Sequence, residues 1–140
     1  MIHDNVEFDL YFIRHGESQS NITPGIAAGV NFDAPMTDRG HQQAEAAGER
    51  LGKEGVKFDR IYSSSLVRAV QTTEGVLKGM GIADAEFTRV DEIIEKQTPG
   101  WRGKLAKDVM PTEVRLLMAE KGKYFKAADG ETMRWVERRA

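Results

Sequence analysis

Cysteine is absent from the 140-residue sequence, which excludes disulfide cross-links and thiolate metal sites. Histidine is nearly as scarce. Only His3, His15 and His41 occur, with no H-x-x-x-H pair, so the pattern does not support a structural zinc site, and no metal or other cofactor is expected. No run of about 18 apolar residues is present, and the first residues do not form a basic-then-apolar leader, so a cytoplasmic location is the expectation. Charge of one sign is not in excess either. A net charge of −2 leaves no basic footprint, and neither nucleic acid nor a membrane is expected as a partner. With 40% hydrophobic residues, a chain of this length can bury a core, and residues 1–140 read as one domain.

The most telling run is Arg14-His15-Gly16-Glu17-Ser18, with Asn21 three residues on. It follows the almost continuously apolar stretch Phe8-Asp9-Leu10-Tyr11-Phe12-Ile13, so Phe8 to Arg14 reads as a strand buried on both faces. The carboxyl end of such a strand opens into the crevice where α/β proteins bind ligands, and Gly16 lets the backbone come close to a substrate there. A histidine in that place has a bland reading as a hydrogen-bonded surface residue, but its neighbours Arg14, Gly16, Glu17 and Asn21 argue for chemistry.

Strands and helices alternate along the rest of the chain. Residues Ile22 to Phe32, with Gly25, Ala27, Ala28 and Gly29, read as a mobile loop that would cover a substrate. Thr37 reads as a helix cap, followed by Ala44, Ala47 and Leu51 at helical spacing, with Gly52 and Gly55 marking an end. Phe58 to Tyr62 reads as a second strand, leading through Ser63-Ser64-Ser65 into a helix with Ala69, Thr73, Val76, Leu77 and Met80 on one face. Gly79 and Gly81 close that helix. Ala85 to Val90 reads as a third strand, Pro111 starts a helix through Val114, Leu117, Met118 and Lys121, and Thr132 to Ala140 is again patterned as a helix. No segment repeats and no linker divides the chain. The alternation predicts an α/β fold, a three-layer α/β/α sandwich with a mostly parallel central sheet.

Several stretches in order resemble the histidine phosphatase superfamily, the phosphoglycerate mutase-like enzymes. Arg14 to Ser18 resembles its RHG signature, and Asp33-Ala34-Pro35-Met36-Thr37-Asp38-Arg39-Gly40-His41-Gln42-Gln43-Ala44 is similar to D-x-P-L-T-x-x-G-x-x-Q-A. Ser63 to Thr73 resembles S-S-P-L-x-R-A-x-Q-T. Ile93-Ile94-Glu95 with Trp101-Arg102-Gly103 is similar to the L-x-E and W-E-G that carry the proton donor, and Gly130-Glu131-Thr132 is similar to a G-E-S that opens a late helix. Matches in order at suitable spacing are far more specific than RHG alone.

The resemblance implies a phosphoglycerate mutase-like sheet and a small phosphorylated substrate or a phosphoprotein as partner. It also implies that His15 attacks phosphorus, which requires a neutral imidazole with a free nitrogen, a form histidine supplies near neutral pH. Arg14 and Arg68 would grip the phosphoryl oxygens, because a planar guanidinium donates two parallel bonds and stays charged. Asn21 would orient the phosphate or the His15 loop. Glu95 would protonate the departing alkoxide and then take a proton from water. On the residues alone, Arg68 fits equally a solvated cation or a partner of Asp59 or Glu74, and Glu92 rivals Glu95. Spacing to Trp101 and Gly103 favours Glu95. Arg102, where the family commonly has an acidic residue, stands with Lys96 and Lys104 in what reads as a solvated charge cluster.

One departure matters. The family carries a second active-site histidine on a late strand, and neither His3 nor His41 fits that place. The sequence therefore reads either as a piece of a longer enzyme or as a degenerate member, with an incomplete sheet and a tendency to form homo-oligomers through an exposed strand edge. The expected function is phosphomonoester hydrolysis through a phosphohistidine. The alternatives are a mutase-type phosphotransferase and a non-catalytic phospho-ligand binding module. Asn21-Ile22-Thr23-Pro24-Gly25-Ile26 lacks the tryptophan typical of mutases in that stretch, which favours the phosphatase.

Overall fold

The computed structural model describes residues 7–27 and 33–140. Its densest part is a pair of helices, α2 and α3, once the single helical turn α1 (Gln19–Ile22) has been passed. Helix α2 (Asp38–Lys53) begins where the sequence predicts: Thr37 Oγ1 accepts a hydrogen bond from the Gly40 N–H at 3.1 Å and satisfies one of the orphan donors of the first turn. Asp38 at its start and Arg50 and Lys53 at its end complement the helix dipole. It stops at Glu54 and Gly55, where the Gly55 N–H donates to Gly52 O and the Val56 N–H to Leu51 O, the paired bonds of a Schellman motif. Gly55 has φ of 72°, which glycine adopts without strain.

Strand β1 (Tyr62–Ser64) leads into helix α3 (Val67–Gly79), which ends in the same way: the Gly81 N–H donates to Lys78 O and the Ile82 N–H to Leu77 O. The two helices meet at small residues. A Cβ on Gly48 would lie 2.0 Å from Val76 O, and one on Gly79 would lie 2.1 Å from Glu45 O, so the backbones touch directly. Met36, Ala44 and Val76 form the buried centre, flanked by the half-buried Ala47, Leu51 and Met80.

Strand β2 (Thr88–Val90) pairs parallel with β1, with Tyr62 opposite Thr88 and Ser64 opposite Val90. Both strands are shorter than the segments 58–62 and 85–90 read from the sequence, and β1 is displaced toward the serines. Turns at Asp91–Ile93 and Pro99–Trp101 lead to α4 (Ala106–Val109), α5 (Thr112–Lys121) and α6 (Met133–Arg139). Thr132 caps α6 by accepting from the Trp135 N–H at 3.0 Å.

The expected strand Phe8–Arg14 is a correction. Residues 8–14 have no ladder partner among the described residues, and Phe8, Leu10 and Phe12 are 76%, 71% and 90% exposed. A doubly buried strand needs neighbours on both edges and cover on both faces, and the two-stranded sheet formed by β1 and β2 supplies neither. Tyr11 makes one edge-to-face contact with Phe58, at 5.5 Å between ring centres. The loop read over Ile22–Phe32 holds for residues 23–27, which belong to no helix or ladder strand, and not for Ile22. Ile22 belongs to α1, and residues 25–27 are tied to the start of α4: the Ala27 N–H donates to Lys104 O at 3.0 Å and the Ala106 N–H to Gly25 O at 2.6 Å. Residues 28–32 lie outside the described residues. No helix among those described is long and apolar enough to cross a membrane.

Candidate active site

His15 is half-buried at the end of the extended segment, and its Nδ1 lies 2.7 Å from Gly16 O. A carbonyl oxygen only accepts, so Nδ1 carries the hydrogen and, in the neutral ring, Nε2 holds the free lone pair. The loop that sets this orientation is held from several sides. The Gly16 N–H donates to Thr72 Oγ1 at 3.0 Å, and Thr72 Oγ1 donates to Arg68 O at 2.7 Å, so one hydroxyl ties the His15 loop to the turn of α3 that carries Arg68. Gly16 and Gly40 approach so closely that a Cβ on Gly16 would lie 2.5 Å from Gly40 O. The Thr37 N–H donates to Glu17 O and the Gln19 N–H to Pro35 O, both at 2.9 Å, which binds the loop to the segment ahead of α2. Glu17 itself accepts from Thr37 Oγ1 at 2.8 Å and lies 3.7 Å from Arg39.

Asn21 acts on this loop. Its Oδ1 accepts from the Ser18 N–H and from Ser18 Oγ, both at 2.9 Å. Ser18 is fully buried. Arg14 is exposed, with no ion pair to another described residue.

Arg68 is 2% exposed, a strongly buried cation one residue inside α3. Its Nη2 donates to Glu95 Oε2 at 2.6 Å, and its Nη1 lies 3.9 Å from Asp33 Oδ1 without a hydrogen bond. Asp59 and Glu74, the partners weighed from the sequence, are not the ones it meets. Glu92 is not brought to Arg68; only its backbone carbonyl is engaged, by Arg139. Arg68 and Glu95 are thus drawn together by the fold, and Arg68 is joined to His15 through Thr72 and Gly16. Asp33 has a second role, accepting from the Val67 N–H at 3.0 Å at the start of α3.

The segment that carries Glu95 belongs to no helix or strand. It is gripped from α6 and the turn before it. Arg139 and Glu131 form a two-point ion pair, with Nε to Oε1 and Nη2 to Oε2 both at 3.1 Å. Arg139 also donates to the carbonyls of Glu92 and Ile94, the latter at 2.6 Å, and Glu131 accepts from the Gln97 N–H at 2.9 Å. Burial pushes the Glu131 carboxyl up, but the bonds from Arg139 and Gln97 and the charges of Arg139 and Lys96 outweigh it and hold the group below the usual value. The sequence marks Glu131 through its G-E-T run. Thr72 falls in the run that resembles S-S-P-L-x-R-A-x-Q-T, and nothing in the sequence marks Arg139 as a partner of the site.

Residues 10–140 match the histidine phosphatase superfamily, branch 1, and the chain belongs to that family. It is 39% identical over 87 residues to a 2,3-bisphosphoglycerate-dependent phosphoglycerate mutase of Bartonella tribocorum, covering 62% of this chain and 41% of that protein. It is 36% identical over 99 residues to the Brucella anthropi protein of the same name, covering 71% and 47%. Among solved structures, the alpha-ribazole phosphatase of Shigella flexneri superposes with a TM-score of 0.74 at 26% identity, covering 91% of this chain and 60% of that one. A mycobacterial glucosyl-3-phosphoglycerate phosphatase gives 0.72 at 26%, covering 90% and 57%. The fold is therefore the phosphoglycerate mutase-like α/β fold with an incomplete, open sheet. The chain spans about half the length of the curated relatives it matches.

Proposed function

We propose that this chain carries the nucleophilic part of a phosphomonoester hydrolase that works through a phosphohistidine on His15. The observation that carries this reading is the bond from His15 Nδ1 to Gly16 O, which leaves Nε2 as the attacking nitrogen. The chemistry divides into two balanced steps. Nε2 attacks phosphorus, the bond from phosphorus to the ester oxygen breaks, and Glu95 gives its proton to the departing alkoxide. Water then attacks the phosphohistidine, Glu95 takes the water's proton, and the bond from phosphorus to nitrogen breaks to release phosphate.

Arg68 suits the phosphoryl grip because it is a buried cation with one nitrogen, Nη1, uncommitted to any hydrogen bond. An arriving phosphoryl dianion takes Nη1 and competes with Glu95 for Nη2, which frees the carboxyl to act as a proton carrier. Arg14, exposed beside His15, supplies a second cation. Asn21 serves by holding the loop through Ser18. The partner is a small phosphorylated substrate or a phosphoprotein, met in the cytoplasm.

A mutase-type phosphotransferase is the second reading, favoured by the names and the 36–39% identity of the curated relatives. The hydrolase is favoured by the two solved phosphatases and by Asn21-Ile22-Thr23-Pro24-Gly25-Ile26, which has no tryptophan. Mass spectrometry of protein from the complete open reading frame, rapidly quenched after exposure to p-nitrophenyl phosphate, tests the shared step. The expected result is an acid-labile, base-stable phosphoryl group on His15, lost together with turnover in His15→Ala. Phosphate trapped on Ser18 or Ser63 would overturn it, and binding without turnover would leave a phospho-ligand module. Release of inorganic phosphate, rather than its transfer to an added phosphoglycerate, separates hydrolase from mutase.

A further inference from the structure

The segment 94–98, which carries Glu95, has no ladder or helix of its own, yet Glu95 must meet a leaving oxygen to act as proposed. Its backbone is fixed on both sides of Glu95 by two residues. Before it, Arg139 takes the carbonyls of Glu92 and Ile94; after it, Glu131 accepts from the Gln97 N–H at 2.9 Å while its own N–H donates to Gln97 O at 2.8 Å. The two-point ion pair between Arg139 and Glu131 locks these grips together. Gly130 lets the segment sit this close: a Cβ there would lie 2.9 Å from Gln97 O. The Glu95 side chain is 52% exposed and has Arg68 as its ion-pair partner, so packing does little to place it.

We infer that Arg139 and Glu131 are positioning residues for Glu95, a clamp that sets where the proton is delivered without touching the substrate. The inference rests on the reading of Glu95 as the proton carrier. Arginine is needed because three backbone carbonyls and both carboxylate oxygens lie around one guanidinium, and a lysine ammonium has neither the fork nor enough donors to serve them. A displacement of about 1 Å in a catalytic group costs up to about 100-fold in rate, so a slack clamp is expected to be visible in turnover.

The test uses Arg139→Lys and Glu131→Gln in protein from the complete open reading frame, with two substrates. An alkyl phosphate needs its leaving oxygen protonated, and p-nitrophenyl phosphate scarcely does. The expected result is a drop of roughly 10- to 100-fold in kcat for the alkyl ester, with KM and p-nitrophenyl phosphate turnover little changed. Combining either variant with Glu95→Gln should add no further loss. Equal losses on both substrates, or additive losses with Glu95→Gln, would overturn the inference. A physical measurement runs beside the kinetics: hydrogen exchange of the Gln97 amide should quicken in both variants while amides of α2 and α3 keep their protection. Unchanged exchange at Gln97 refutes the clamp whatever the kinetics show. If Glu95→Gln itself shows no preference between the substrates, it is the assignment of Glu95 that fails, and the exchange result still decides whether the clamp exists.

Discussion

The two ends of the candidate site are built on different physics. The His15 end is seated on the α2 and α3 pair, where glycines bring backbones into contact and hydrogen bonds join the loop's backbone to Thr72, Thr37 and Pro35. The Glu95 end has no such seat; a two-point ion pair and five backbone bonds hold it from α6 and the turn before it. His15, the proposed nucleophile, is thus placed by close packing, which is stiff and insensitive to pH. Glu95, the proposed proton carrier, is placed by charge, which leaves it open to acid and to the loss of one partner.

The sharpest break of that comparison is at Arg68, where the two ends meet. Arg68→Ala removes the buried donor proposed to grip phosphoryl charge and also releases Glu95, so turnover should fall by about 10²–10³. The fold should survive, because Glu95 and Asp33 are partly exposed and can be solvated once unpaired. Steady-state kinetics with circular dichroism of the variant checks both halves; a loss below tenfold would remove Arg68 from the phosphoryl site.

Next in size is a pair of glycine substitutions in α2 that should move stability in opposite directions. Gly48→Ala places a methyl 2.0 Å from Val76 O, so the overpacking cost of about 1–3 kcal/mol should exceed the gain of about 1 kcal/mol in helix propensity. Gly52→Ala meets its nearest atom, Met80 Cα, at 3.4 Å, an ordinary contact, and only the gain remains. Thermal unfolding should show the first variant melting lower than the parent and the second higher. Two shifts of the same sign would mean that α2 and α3 are less tightly joined than their glycines indicate.

The gentlest intervention is acid. Because the Glu131 carboxyl is held below its ordinary value of 4.5, the clamp contributes its full stability above that pH and loses it as pH falls through the lowered folded value. In an amide-resolved NMR titration, the Gln97 resonance should therefore move below pH 4.5, ahead of the α2 and α3 amides. Simultaneous loss of all of them would deny the clamp any independence from the packed helices.

Local chemistry was legible in the sequence. Thr37 as a cap, Gly55 and Gly81 as helix ends, and the helices after Pro111 and Thr132 were all readable, since each depends on bonds closed within a few residues. What was not legible depends on distant partners. The apolar run 8–13 reads as a buried strand because periodicity reports a side chain's preference and not whether neighbours exist to satisfy it. Nearby carboxylates are the partners that the sequence offers Arg68, whereas its partners in the fold lie 27 and 35 positions away, at Glu95 and Asp33. The same holds for Arg139, whose contacts at 92 and 94 follow no repeat.

The clamp also imposes an order on the growing chain. Ribosomes deliver Glu95 well before Arg139, so a nascent polypeptide that already folds α2 against α3 carries the 94–98 segment without its brace. The tether forms only once α6 has been made, so a single late-closing contact ties together residues 34 and 45 positions apart.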